Sequence, residues 1–397
     1  MAEEAPQKPG STRALVALLA FVLGFATVPH RVMERDASRW FDGDPSKTDA
    51  LAAGVARWTA SPDELAPTTF STGSARFDGE WLFATFMMAA MGFGQTALDR
   101  DADARDESIT RMETCLDAML EPRVRSFDTK AWDDDALASL DAPAGSTADR
   151  GHAAYLGYSG VALSLHRILR PSSRFAEREE AIAHALERRI IASPTGFAET
   201  YPGEVYPVDN TAALAALALH ARATNQPPSP ALRRGIEALR WNGIDPSTGL
   251  LFQAVTVAEA APRDAARASG TALAAYFLSF ADELTSSALF RALEKSQFRT
   301  VLGFGGMMEF PPGKRTNRAD IDSGPVFLGF GVSASGFALG ASRAHGDRET
   351  FTALYATAQL FGAPLDENGT LTYAMGGPIG DAILFAMLTA PRVGRLG

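Results

Sequence analysis

The sequence has very little cysteine and no excess of positive charge, and both shortages exclude classes of site. Cys115 is the single cysteine among 397 residues, so neither a disulfide framework nor a cysteine-based metal site can be built from this chain. Lysine and arginine number 37 against 47 aspartates and glutamates, a formal net charge of −10 at pH 7. No stretch has the concentrated basic character that phosphate binding requires, so we predict no nucleic-acid partner.

Sequence motifs for metals and cofactors are also absent. The six histidines form no H-E-x-x-H ligand pair, and the sequence has neither a G-x-S-x-G nucleophile turn nor a phosphate-binding glycine loop. We therefore predict no metal and no cofactor. The chemistry left to such a chain is that of carboxylates, tyrosines and histidines.

Helical segments rich in glycine, alanine and apolar residues recur along the chain, with starts about 50 to 70 residues apart, which is a repeat signal. A helix that is apolar on every side has to be buried on every side. The six segments of this kind are residues 80–98, 151–169, 210–221, 269–281, 323–344 and 376–390.

Amphipathic helices lie between these segments. In residues 173–191, Phe175, Ile182 and Leu186 follow one stripe and charged residues follow the other, as in a surface helix that buries a single face. The alternation of the two kinds predicts an inner ring of helices wrapped by an outer ring, an all-α (α/α)6 toroid. An all-α solenoid that does not close is the alternative.

The N-terminal residues indicate export. The run ALVALLAFVLGFATVP is uncharged and follows Lys8 and Arg13, and it is shorter than the roughly 20 residues that span a bilayer. It suits a signal peptide or a short membrane anchor, which would place the protein in the cell envelope, anchored or exported; a buried N-terminal helix is the alternative. The predicted divisions are a polar flank at 1–13, the signal or anchor at 14–29, a linker at 30–55 and the toroid at 56–397.

The loop before the third inner helix, TYPGEVYPVDN, is unusually rich in polar and aromatic residues. Such loops open into the central cavity of a toroid, and two prolines stiffen this one. An N-cap belongs at the aspartate–asparagine pair that ends it. The candidates for site residues here are Tyr201, Glu204, Tyr206, Asp209 and Asn210.

The loop before the second inner helix carries Trp132 and brings Asp149 close to His152. His152, Tyr155 and Ser159 are spaced so that they share a helix face. A histidine beside an aspartate at a cavity mouth is suited to moving protons. In the purely structural interpretation, Asp149 caps the helix.

Two further loops contribute candidates. Asp320 and Asp322 alternate before the fifth inner helix, so in an extended segment both project to one side and can divide acid and base roles; an ordinary turn is an equally good interpretation. Before the sixth, Tyr373 and Met375 offer an apolar surface for stacking. Asp381 falls in the first helical turn, where the helix dipole alone favours a carboxylate.

The second and third inner segments resemble two inner-helix blocks of the linalool dehydratase/isomerase-like toroids, over roughly 70 residues. In that family a Gly-His opens one inner helix, and a proline-containing segment ending in Cys-Asn opens the next. His152 matches the histidine and Asn210 the asparagine, but the site cysteines of the family are absent and Asp209 stands where the second would be. The resemblance implies the toroid fold and a hydro-lyase or isomerase acting on an apolar alcohol.

Our leading hypothesis is an enzyme that uses carboxylate general acid/base catalysis on a saccharide or a related hydroxylated substrate, as hydrolase or lyase. By analogy of fold, other (α/α)6 toroids are mostly carbohydrate-active enzymes, and aromatic rings with carboxylates are what sugar hydrolysis uses. Asp209 and Asp322 are the candidate acid and base. The orienting and proton-relay candidates are Glu204, Asp320, His152, Tyr201 and Tyr206, and the other substrate-binding candidates are Asn210, Tyr155, Trp132, Tyr373 and Met375.

Two alternatives remain open on sequence grounds. A hydro-lyase or isomerase predicts a narrow cavity lined by residues such as Phe327, Phe330, Met375 and Phe385. A non-catalytic toroid that binds a glycan or a protein predicts that the polar loop residues are caps and turn formers that do not converge. The sequence does not choose an oligomeric state.

Overall fold

The structure, a computed structural model, describes residues 16, 17, 24, 31–313 and 324–396, and these residues are mostly helical. Apolar and amphipathic helices alternate along the chain, as the sequence predicts. The helices are α1 (31–41), α2 (Pro45–Thr59), α3 (Ala75–Leu98), α4 (Ala102–Leu120), α5 (Ser126–Trp132), α6 (Ala153–Leu169), α7 (Ala176–Ala192), α8 (Pro207–Ala223), α9 (Pro230–Ala238), α10 (Ala268–Leu278), α11 (Glu283–Ser296), α12 (Val332–Ala344), α13 (Arg348–Gly362) and α14 (Gly377–Leu388).

Six apolar helices form a closed inner ring. In chain order they are α3, α6, α8, α10, α12 and α14, and each packs against the next. The last of them, α14, packs against the first, α3. Closure of the ring confirms the predicted (α/α)6 toroid and distinguishes it from an open solenoid.

The inner helices approach one another closely because their contact positions are occupied by small residues. A Cβ atom on Gly157 of α6 would lie 3.0 Å from the backbone nitrogen of Ala213 in α8. A Cβ on Gly160, one turn later, would lie 2.8 Å from the Cβ of Ala216. Larger side chains at either glycine would push the two helices apart, which explains the glycine and alanine content of the inner ring.

The outer ring consists of α2, α4, α7, α9, α11 and α13, each packed against inner helices. Helix α7 shows the pattern: Ile182, Leu186 and Ile190 are buried on one stripe. The ring begins earlier than predicted, since α2 already packs against α3 and α14, and Trp40 in α1 is 1% exposed. The linker predicted at 30–55 is therefore wrong, because its apolar residues belong to the core.

Three short antiparallel hairpins interrupt the helical pattern: β1 (Phe298–Val301) with β2 (Phe304–Met307), β3 (Val326–Phe327) with β4 (Phe330–Gly331), and β5 (Pro364–Glu367) with β6 (Thr370–Tyr373). The fifth inner helix therefore begins at Val332 and not at residue 323. Leu328 and Gly329 both have positive φ, the backbone of a tight two-residue hairpin turn. This turn reverses the chain where the sequence pattern predicted a helix.

Helix α3 is the single helix among the described residues that is long and apolar enough to cross a membrane, judged by length and composition. Its most apolar window is 83% buried inside the protein, as its place in the inner ring requires. Apart from residues 16, 17 and 24, the predicted signal or anchor at 14–29 lies outside the described residues.

Candidate active site

The loops before α6 and α8 meet at the N-terminal ends of the inner helices. The backbone N–H of Ala153 donates a hydrogen bond to the carbonyl oxygen of Glu199, at 3.0 Å. A Cβ atom on Gly151 would lie 2.0 Å from that same oxygen, so only glycine permits the approach. The two loops are thus fixed against each other at one end of the ring.

The loop before α8 is held by its own sequence. Tyr201 and Glu204 form a tight antiparallel bridge, and Gly203 between them has φ +75°. The Asn210 carboxamide accepts from the Ala198 N–H at 2.8 Å and donates to the Ala198 carbonyl at 3.0 Å. These contacts rigidify the segment that carries the polar side chains.

Two carboxylates from different helices each accept a hydrogen bond from a tyrosine at this end of the ring. The Tyr201 hydroxyl donates to Glu80 of α3 at 3.0 Å. The Tyr158 hydroxyl of α6 donates to Asp209 of α8 at 2.8 Å. Both carboxylates are half-buried, so they combine contact with solvent and fixed orientation.

Arg76 and Glu204 extend this cluster. The Arg76 guanidinium lies over the Tyr201 ring, 4.4 Å from its centroid, and pairs with Glu204 at 3.8 Å. Glu204 also accepts from the Tyr206 hydroxyl at 3.0 Å. Together with the two tyrosine–carboxylate pairs, these residues make up what we call the rim cluster: Arg76, Glu80, Tyr158, Tyr201, Glu204, Tyr206 and Asp209.

The Tyr201 hydroxyl has a buried and acidic environment. Burial raises the pKa of Tyr201 well above its usual range, and the negative charges of Glu80 and Asp209 raise it further. Tyr201 therefore stays protonated near neutral pH. It remains a hydrogen-bond donor in the middle of an acidic site.

Some inner-ring residues are incompletely packed. Trp81, Tyr158 and Phe337 are half-buried. A Cβ atom on Gly336 or Gly380 would have no neighbour within 4 Å. Aromatic side chains next to open space and carboxylates are suited to binding a polar organic ligand.

This chain resembles known proteins in structure and not in sequence. A scan against protein-family models gave no match, and a search of curated proteins gave no significant match. Among solved structures it is similar to a GH76 alpha-mannanase of Bacteroides thetaiotaomicron, with 11% identity and a TM-score of 0.48, over 77% of this chain and 84% of that chain. It is also similar to a family 76 glycoside hydrolase from a bovine strain of that species, with 11% identity and a TM-score of 0.42, over 77% of this chain and 68% of that chain. At this similarity, the chemistry has to be inferred from the residues of this chain.

The structure brings four of the predicted residues into the rim cluster, namely Tyr201, Glu204, Tyr206 and Asp209. Asp209 does not cap α8, because the helix already begins at Pro207 and Tyr206 is the N-cap residue. As the third residue of the helix, Asp209 instead presents its carboxylate to Tyr158. The predicted capping role is therefore wrong.

His152 lies in a buried cluster behind the rim. It is the N-cap residue of α6 with φ +50°, its Nδ1 lies 2.7 Å from Asp128, and its ring packs on Trp132 with centroids 4.6 Å apart. Asp149 does not cap this helix; its carboxylate pairs with Arg188 and Arg189. His152 and Trp132 are 0% and 4% exposed, so a substrate cannot touch either in this structure.

Tyr155 and Asn210 have structural roles. The Tyr155 hydroxyl donates to the carbonyl of Met119 in the outer helix α4, so the side chain points away from the central cavity, and Asn210 holds its own loop. The prediction that they bind substrate is corrected by these contacts. His152 and Asn210 carry the resemblance to the linalool dehydratase/isomerase-like toroids; both are buried, and the comparisons do not show that family.

Among the remaining predicted residues, Tyr373 and Met375 do not join the rim cluster. Asp320 and Asp322 lie outside the described residues, so their roles stay predictions. Tyr373 is 2% exposed and its hydroxyl accepts from Gln359, whereas Met375 is 76% exposed. The apolar cavity expected for a hydro-lyase does not assemble from its predicted residues, since Phe327 is 68% exposed while Phe385 is buried and packs edge-to-face against Phe93.

Sequence reasoning missed Glu80, Arg76 and Tyr158. Glu80 stands immediately before a long apolar run, so a single carboxylate at the start of a buried helix was the available signal. Tyr158 lies on a different face of α6 from His152 and Tyr155, the face predicted from the sequence to be the functional one. The face of His152 and Tyr155 packs outward instead, where Tyr155 contacts Met119 of the outer helix α4. Helical periodicity shows which residues share a face of an inner helix. It does not show which of those faces is directed towards the cavity.

Asp381 has an unusual environment at the start of α14. It is buried and accepts from the Trp58 indole N–H and from the Tyr373 backbone N–H, both at 2.7 Å. Burial raises its pKa from the usual 3.8 to about 6, against the opposing effect of the two hydrogen bonds. The folded protein therefore holds this proton more tightly than the unfolded chain does.

We predict a specific pH dependence of stability from Asp381. A raised pKa means that its contribution to the free energy of unfolding is fully present below about pH 4 and is lost as the pH rises towards about 6. In Asp381→Asn this titration is absent, so the variant should gain stability relative to the wild type across that interval. Urea denaturation of both proteins at several pH values measures this difference, and a difference that does not change with pH would contradict the prediction.

Proposed function

We propose that the protein hydrolyses glycosidic bonds of a saccharide, with Glu80 and Asp209 as its acid and base. The observation that carries the proposal is a pair of half-buried carboxylates, one on α3 and one on α8. Glu80 accepts a hydrogen bond from the Tyr201 hydroxyl, and Asp209 accepts one from the Tyr158 hydroxyl. Two carboxylates that flank a substrate are what glycoside hydrolysis requires. The aromatic residues of the inner ring supply surfaces on which sugar rings stack.

The positions of the two carboxylates in their helices support different roles for them. Asp209 is the third residue of α8, where the positive end of the helix dipole favours the ionised form. Glu80 lies in the second turn of α3, where the helix dipole acts less strongly than in the first turn, which leaves it the acid role in this proposal. Asp209 therefore acts as the base and Glu80 as the acid.

The reaction balances with water as the second reactant. Glu80 donates its proton to the glycosidic oxygen as the bond between that oxygen and the anomeric carbon breaks. Asp209 accepts a proton from the water molecule whose oxygen bonds to the anomeric carbon. The products are two saccharides that each carry a new hydroxyl group, and the proton passes from Asp209 back to Glu80 through solvent.

A substrate screen tests the proposal. We expect the purified protein to release new reducing ends from at least one neutral polysaccharide, and Glu80→Gln to lose this activity while keeping its thermal unfolding midpoint. A product with a carbon–carbon double bond would instead indicate a lyase. Binding without any product would indicate a glycan-binding toroid, and either result would overturn the proposed hydrolysis.

A further inference from the structure

A cleft lies between the end of the outer helix α2, the β5–β6 hairpin and the start of α14. Its volume is about 490 Å³, within the range of small-molecule sites. It differs from the rim cluster in all its residues. Its lining includes Arg57, Trp58, Glu367, Thr370, Thr372 and Asp381.

Trp58 forms a fixed wall of this cleft. It is half-buried, and its indole N–H donates to Asp381 at 2.7 Å. The other carboxylate oxygen of Asp381 accepts from the backbone of Tyr373 in β6, so one buried carboxylate joins the tryptophan to the hairpin. An indole held in this way loses little conformational entropy when a ligand stacks on it, and it keeps an apolar face for that purpose.

The opposite wall offers hydroxyl groups and little net charge. Thr370 and Thr372 are two residues apart on β6 and therefore face the same side of the strand. Neither threonine hydroxyl hydrogen-bonds to another residue in the part of the chain that the structure describes. The exposed charges at the edge, Arg57 and Glu367, are of opposite sign. The third charged group of the lining, Asp381, is buried, and both of its oxygens already accept hydrogen bonds, so the accessible part of the lining favours an uncharged ligand.

We propose that this cleft binds a neutral sugar residue, which stacks on Trp58 and hydrogen-bonds to the threonine wall. Helix α3 packs against both α2 and α14 and also carries Glu80, so the cleft flanks the helix that supplies the catalytic acid. The choice of a saccharide as ligand rests on the proposed function. The cleft then holds a part of the saccharide chain away from the bond that is cleaved.

Nuclear magnetic resonance titration tests the proposal on the full-length protein. The probes are neutral trisaccharides of gluco, manno and xylo configuration, and the indole N–H signal of Trp58 is assigned from its loss in Trp58→Phe. We expect at least one probe to shift this signal, and Trp58→Ala to weaken binding of that probe at least tenfold by calorimetry. Trp241→Ala, which removes a tryptophan that is 83% exposed and outside the cleft, should bind as the wild type does.

The outcomes separate this proposal from the proposed function. If no probe shifts the Trp58 signal, or if Trp58→Ala binds as the wild type does, the cleft is not a sugar site, whether or not the enzyme hydrolyses saccharides. If a probe binds through Trp58 in a protein that shows no hydrolysis, the cleft proposal stands and the catalytic one fails. If Trp58→Ala does not fold, two other measurements test the proposal: the affinity of Thr372→Val for the probe and the shift of the Trp58 indole N–H signal in the wild type. The proposal is overturned if Thr372→Val binds the probe as the wild type does and the probe leaves the wild-type signal unmoved.

Discussion

Asp209→Asn should lower kcat/KM about 1000-fold on any saccharide that the wild type hydrolyses, because general acid and base groups contribute factors of about 10² to 10⁴. The substitution keeps the size of the side chain, and its amide oxygen still accepts from Tyr158, so the fold should be retained. What it removes is the group that takes the proton from water. Steady-state rates of reducing-end release, with thermal unfolding as the check on folding, measure the effect.

A matched substitution controls for the loss of a carboxylate. Asp99→Asn removes the same charge from an exposed ion pair with Arg395 and should leave kcat/KM within about twofold, since surface pairs contribute little. Tyr158→Phe provides a second comparison. It leaves Asp209 in place without the hydrogen bond from Tyr158, so activity should fall by less than in Asp209→Asn, and the pH profile of the activity should shift to higher pH. Near wild-type activity in Asp209→Asn would show that Asp209 is not the base.

Gly151→Ala should destabilise the protein by about 3 kcal/mol or more, at the upper end of what overpacking costs. The new Cβ atom would lie 2.0 Å from the Glu199 carbonyl oxygen and 2.7 Å from two further backbone atoms of that residue. Backbone cannot move aside as a side chain does, so the loops before α6 and α8 must separate. The free energy of unfolding from urea titration measures the cost.

Gly336→Ala is the control for this change. It also adds one methyl group to a glycine of the inner-ring region, but no atom lies within 4 Å of the added Cβ. Alanine is the better residue in a helix interior by about 1 kcal/mol, so this variant should be as stable as the wild type or slightly more so. A Gly151→Ala variant that unfolds at the wild-type urea concentration would mean that the two loops are not packed as described.

The fold could be predicted because the two kinds of helix have different sequence patterns. The all-round apolar segment at 151–169 and the one-sided segment at 173–191 can each be assigned a ring from periodicity alone. The hairpin at 326–331 could not be predicted, because glycine and apolar residues suit both an inner helix and a tight turn. Trp40 was likewise assigned to a linker, since its burial depends on contacts with distant helices.

The candidate site could be predicted only in the loop that is dense in polar residues. Tyr201, Glu204 and Asp209 were found because they cluster in sequence. Glu80 was missed because it joins them only across the ring, 121 residues away from Tyr201. For Asp149, local sequence is misleading in another way. Its position before a helix indicates a helix cap, but its carboxylate pairs with two arginines of α7. Contacts between separate helices of this kind cannot be deduced from the neighbouring residues in sequence.

The central claim is that the rim cluster is where a saccharide is cleaved. The most direct measurement is a crystal structure of Asp209→Asn with a bound oligosaccharide that the wild type hydrolyses. We predict a glycosidic oxygen within hydrogen-bond distance of the Glu80 carboxyl and the adjacent anomeric carbon facing residue 209, with a sugar ring against Trp81 or Tyr158. An oligosaccharide bound with its glycosidic bonds remote from Glu80 and residue 209 would contradict the account.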